Sequence, residues 1–323
     1  MVDGRVAKRK ATQDGPSPPA QRPCHDTTSI HSLLRANSRE RLYVHPICWT
    51  LRQPGLLCCH FTLEKVRVEK GDPPSRSVVQ ILRDQQPYKN PLYAVAQLLA
   101  PGTLAAKKFD VVHILPHSLP FFFGQREAAR IPTDGLFAHH DALPSLAYIT
   151  FDTIQTLRKK KVSRPPCGGA NRPVWNIHQK RLRSLEPRNP AEDPYIVSIL
   201  IALAQAQRQH TETKGRAARS FQVSQDRLSW GEAGLTHFPK VTVLATASIA
   251  ECLYVYTATI PAEFLDRLDT PAQPLRVVPV PVKYCRISLI PGRKALKKLH
   301  HLICTGTCTL CVGEEQAGPG HAG

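Results

Sequence analysis

The sequence is short of acid. Against 43 lysines and arginines it carries 25 aspartates and glutamates, leaving a formal net charge of +18 over 323 residues. Such a surplus attracts polyanions and acidic surfaces without saying which. Long hydrophobic runs are missing too. A membrane span needs about 20 consecutive apolar residues, but the richest stretch, from Tyr195 to Ala206, contains Ser198 and Gln205 and ends at Gln207 and Arg208. The run from Leu119 to Phe123 is short and broken by Pro120. A transmembrane segment is therefore not expected. No apolar stretch follows Met1, so a cleavable secretion signal is not expected either. The ten cysteines are scattered along the chain, and an intracellular, reduced state is the expectation. Missing as well are a Gly-x-Ser-x-Gly elbow, a phosphate-binding Gly-x4-Gly-Lys-Ser/Thr loop, Gly-x-Gly-x-x-Gly and His-Glu-x-x-His. Their absence excludes the commonest hydrolase, nucleotide-binding and zinc-protease signatures, though not catalysis as such.

What is present is a strong central helix. Asp193 can accept from the free amides of a first turn, Pro194 suits the first helical position, and Arg208 places a cation where it suits the closing dipole. Apolar residues occupy every face between Tyr195 and Ala206, which predicts a helix enclosed by protein.

Around it the pattern predicts modest elements separated by many of the 29 prolines. Residues 1–26 read as a disordered tail carrying Lys8-Arg9-Lys10, a candidate nuclear-import signal. Residues 27–157 read as a poorly defined α+β region. It opens with a short amphipathic helix at Ile30, Leu33 and Leu34, behind Asp26. Strand material is expected at 43–51 and 56–68, a helix at 91–100, a strand at 109–115 and helical spacing from Leu146 to Leu157, where β-branched content leaves a strand open. Residues 158–190 read as a basic linker containing Pro165-Pro166-Cys167-Gly168-Gly169, residues 191–303 as the core domain and 304–323 as a flexible tail. In the core, a loop is expected from Gln209 to Gly234. A strand at Val241 to Leu244 is followed by a hairpin partner at Cys252 to Ala258, a helix opened by Pro261, a strand at 282–290 and a helix at 294–303. The fold class expected is α+β, a small mixed sheet packed on the buried central helix in the order α-β-β-α-β-α. Neither face of the strand at Cys252 is strongly polar, which suits a central position.

Glu192-Asp193-Pro194-Tyr195-Ile196-Val197, Ile201-Ala202-Leu203-Ala204-Gln205, Leu253-Tyr254-Val255-Tyr256-Thr257-Ala258 and Ile260-Pro261 together resemble a family of uncharacterised proteins predicted from filamentous fungal genomes. The likeness spans roughly residues 186–290. It implies a shared core and brings no activity, ligand or catalytic residue.

Charge is concentrated. Between Arg158 and Arg188 ten basic residues stand against the single acid Glu186. Lys159, Lys160, Lys161, Arg164, Arg172, Lys180, Arg181 and Arg183 could grip phosphates, and Trp175 could stack a base. At the far end, Cys304, Cys308 and Cys311 with His300 or His301 could complete a tetrahedral zinc set. His139-His140-Asp141 reads as a surface turn, and His113 and His117 as core-edge residues. Asp193 with Glu212 and Lys214 has the formal spacing of a metal-dependent nuclease, but a helix would lie between its members. The reading is an intracellular, non-catalytic binding protein, without a membrane partner, that contacts nucleic acid or an acidic protein surface through residues 158–188. A degenerate or unrecognised metal-dependent nuclease is the competing class.

Overall fold

The structure, a computed structural model, describes residues 27–39, 44–64, 111–114, 116–139, 143–162, 172–221, 240–247, 252–288, 298–299 and 302. β1 (Thr27–Thr28) and α1 (Ile30–Ala36) lead through a 3-10 turn at Pro46–Cys48 to α2 (Arg52–Leu56) and β2 (Cys59–Leu63). Five strands follow: β3 (Val111–Ile114), β4 (Ser118–Phe123), β5 (Arg126–Pro132), β6 (Gly135–His139) and β7 (Pro144–Thr150). Next come α3 (Phe151–Lys161), α4 (Arg172–Leu185), a 3-10 turn at Pro190–Glu192 and α5 (Pro194–Phe221). The last elements are β8 (Lys240–Thr246), β9 (Cys252–Thr259), α6 (Ala262–Asp269), β10 (Leu275–Arg276) and β11 (Val280–Ser288).

α5 is the enclosed helix that the sequence predicts. The amide of Tyr195 donates to Asp193 Oδ1 at 2.9 Å, and every residue from Asp193 to Gln205 is buried. Ile196, Ile199, Leu200, Ile201 and Leu203 are each at most 1% exposed; full burial of one such side chain is worth about 1.5–3 kcal/mol. β7 and β8 cover one side of the helix, and β4, β5, α2 and the first 3-10 turn pack around the rest. The predicted stop at Arg208 is not where the helix ends, nor is Gln209 to Gly234 a loop throughout. Backbone helix continues to Phe221, because no proline interrupts it and adding one more turn to an existing helix is easy. Arg208 instead reaches sideways to α6, bonding Asp266 at 2.8 Å and pairing with Asp269.

The sheet is larger than the small one expected. Seven strands run in the order β2-β11-β9-β8-β7-β6-β3, parallel at β2–β11 and β7–β8 and antiparallel elsewhere. The β7–β8 register runs from Leu146↔Thr242 to Thr150↔Thr246, so strands from both sides of the segment at 158–190 share one sheet. A parallel pair needs a crossover, and α3, α4 and α5 form it. The segment read as a linker thus contains the end of α3 and all of α4. On one face Ile149, Val243, Tyr256 and Val282 join the α5 core. On the other, Tyr148, Leu244, Val255 and Ile287 are also buried, so β9 is central, as its two apolar faces suggest.

β4 and β5 form a separate hairpin. Its two-residue turn, Gly124-Gln125, has positive φ at both positions, 60° and 61°, the backbone of a type I′ turn. The strand register shifts between Phe121 and Phe122, and the buried Gln205 side chain meets the irregularity. It accepts from the Phe122 amide at 3.0 Å and donates to the Phe122 carbonyl at 2.9 Å.

Three local expectations are corrected. Residues 43–51 form no strand in the described part; Pro46, unable to donate to a ladder, opens the 3-10 turn instead. The helical spacing from Leu146 covers two elements, since β7 ends at Thr150 and its hydroxyl caps α3 by accepting from Thr153 N at 3.1 Å. α1 is capped by Ser29 rather than Asp26. The expected tail at 1–26, the helix at 91–100 and most of the helix at 294–303 lie outside the described residues.

Candidate polyanion-binding surface

Four consecutive basic residues end α3, and they do not share a role. Arg158 lies one helical turn after Ile154, on the same face, and both are buried, at 1% and 0% exposure. Its guanidinium forms a two-pronged pair with Asp193, Nη1 to Oδ2 at 2.8 Å and Nη2 to Oδ1 at 2.7 Å, while Nε donates to the Ile47 carbonyl at 3.4 Å. Arg158 therefore joins three parts of the fold: α3, the 3-10 turn and the cap of α5. Lys159, Lys160 and Lys161 turn outward and are exposed. α3 is held at its other end by Asp134, whose oxygens accept from Thr150 N at 2.6 Å and Thr153 Oγ1 at 2.8 Å.

α4 packs on α3 and presents a second group of cations. Arg172, Lys180, Arg181 and Arg183 are all exposed, whereas His178 is buried. Arg172, Asn176, Lys180 and Arg183 follow at spacings of four, four and three residues, which lays them along one helical stripe. Trp175 is 43% exposed and Ile177 54%; the indole sits 5.6 Å from the His178 ring. Among the described residues, no ion pair engages Lys159, Lys160, Lys161, Arg172, Lys180, Arg181 or Arg183. Arg164 lies outside the described residues. Helical spacing could have flagged Arg158 as the inward member of the run; the sequence alone could not have named Asp193 as its partner.

The other predicted sites do not assemble within the described residues. His300, His301, Cys304, Cys308 and Cys311 lie outside them, and among those described no group of three or more His, Cys, Asp or Glu side chains could hold a metal. Asp193 is spoken for by Arg158. Glu212 and Lys214, expected in a loop, belong to the same continuous helix that Asp193 caps. At 1.5 Å per residue, Glu212 is about 28 Å from Asp193 along the axis, too far to share one ion. His139 ends β6 rather than standing in a turn, and His140 and Asp141 are not described. His117 sits at the start of the hairpin, its carbonyl accepting from Thr133 N at 2.8 Å and Thr133 Oγ1 at 3.2 Å. Buried cysteines are poor nucleophiles here: burial pushes the Cys285 thiol up to about 11 and Cys59 higher still.

Fold and surface together define a class, an α+β protein whose crossover helices between two parallel strands carry exposed cations with no ion partner among the described residues. Comparison with family models, curated proteins and solved structures finds no match to this chain. Among the described residues no helix is long and apolar enough to cross a membrane.

Proposed function

We propose that this protein is a non-catalytic binding protein that holds nucleic acid through the end of α3 and the outer face of α4. One observation carries the reading: seven exposed cations on two packed helices, without acid partners among the described residues, beside an exposed tryptophan. Cations in that state release counterions when they meet phosphates, and an indole offers a stacking platform to an unpaired base. An acidic protein surface would use the same cations but would gain nothing from base stacking on Trp175. Lys8-Arg9-Lys10 would suit nuclear import of such a protein. The resemblance of residues 186–290 to the fungal family implies a shared core and brings no activity to carry over.

Labelled single- and double-stranded DNA and RNA, titrated at several salt concentrations with magnesium present, test this. Retention should weaken linearly in log K against log salt. Replacing Lys159, Lys160 and Lys180 with Gln should flatten the slope by roughly 0.7–0.9 for each phosphate no longer neutralised. Trp175→Ala should cost about 1–3 kcal/mol on single strands and less on duplex. Salt-insensitive retention, or none, overturns the proposal. Cleavage of the strands would bring back the nuclease class.

A further inference from the structure

A pocket of about 370 Å³ opens beside the basic end of α3, within the size range of small-molecule sites. Trp49, Leu57, Phe121 and Leu268 form buried parts of its wall, with Trp49 and Phe121 packed edge to face at 5.7 Å. Its polar groups are few. His45 accepts from Ile47 N at 3.3 Å through Nδ1 and bonds the Arg130 backbone; burial and the nearby Lys161 charge lower its pKa below the usual 6.5, so at pH 7 it is neutral. Lys161 is thus the one charged side chain among the described residues lining the pocket, and it has no ion partner. The indole Nε1 of Trp49, buried at 2% exposure, has no acceptor among the described residues, although buried indole N–H groups usually find one. An aromatic and aliphatic hollow with one ammonium among its described lining residues suits a ligand with an apolar body and a single negative charge.

We infer that this pocket binds a small apolar monocarboxylic acid, its hydrocarbon part against Trp49, Leu57 and Phe121 and its carboxylate on Lys161. A single carboxylate matches the one cation among the described lining residues; a dianion would leave a charge at an apolar wall, where it is costly. The inference shares only Lys161 with the nucleic-acid surface and does not depend on that reading.

Octanoate titrated into the full chain bearing Trp175→Phe and Trp230→Phe tests it, since Trp49 is then the sole indole of the original three. Saturable change in Trp49 emission is expected, with affinity rising about four-fold per methylene from hexanoate to octanoate. Lys161→Met should weaken octanoate about ten-fold and leave octanol unchanged; Lys159→Met, whose side chain does not line the pocket, should change neither. Ala128→Trp, at the exposed rim, should exclude both ligands while the unfolding transition stays in place. The inference is overturned by an absence of saturable response, by octanoate binding that ignores Lys161→Met, or by unaltered binding in a folded Ala128→Trp variant.

Discussion

Arg158 and Asp193 tie together α3, the first 3-10 turn and the start of α5. A buried ion pair adds little net stability over a well-packed apolar replacement, yet breaking one strands the surviving charge, at about 3–5 kcal/mol. Arg158→Met should therefore destabilise by about that much in urea unfolding. Asp193→Asn, which retains a cap oxygen for Tyr195 N, should cost a similar amount, and the double variant should cost clearly less than the sum. Additive effects would mean that the two side chains do not depend on each other. His45 makes a second prediction at this scale. Its folded pKa lies below the unfolded value of about 6.5, so the unfolded chain takes up its proton first as pH falls. Stability from this group is complete above pH 6.5 and is lost on acidification through the window beneath it. His45→Asn, which keeps an acceptor for Ile47 N, should flatten the wild-type decline between about pH 6.5 and 5; an unchanged slope would contradict it. The sequence made Asp193 legible as a cap because capping is local. It left Arg158 among surface charges because its partner lies 35 residues away, and nothing in local spacing announces such a contact.

At the scale of elements, α5 was readable because its start and composition agree, and propensity and tertiary packing act together there. Its end was not readable, since Arg208 satisfies Asp266 and Asp269 on α6 rather than closing the helix. Gln205 shows the same limit: a polar residue in an apolar run gives no hint that it will mend a hairpin irregularity. Gln205→Leu should leave the Phe122 amide and carbonyl without their partner and cost about 1–3 kcal/mol for each buried group left unsatisfied. The loss should appear as faster amide exchange at Phe122 as well as a lower unfolding midpoint. Gln205→Glu in its ionised form supplies acceptors only, so at alkaline pH it should restore the bond from the Phe122 amide but not the one to its carbonyl. β8 and β9 were legible because apolar residues recur along them between stops, whereas β4, β5 and β6 were not expected. Where one apolar run crosses from β7 into α3 the period is mixed, and only the Thr150 cap marks the change.

For the whole molecule, what escaped the sequence was partnership between distant strands. β7 and β8 are separated by three helices, and their parallel pairing merges what read as an N-terminal region and a core into one sheet. The cations of α3 and α4 thereby lie on helices of the crossover between two strands of one sheet rather than on a linker between two domains. The direct test is native-state hydrogen exchange followed along the full chain through increasing denaturant. Strands β6 and β7, the 195–204 segment and strands β8, β9 and β11 should share the highest protection and open together at the free energy of global unfolding. If β6 and β7 exchange at a distinctly lower free energy while β8, β9 and β11 stay closed, the single sheet laid on α5 is contradicted.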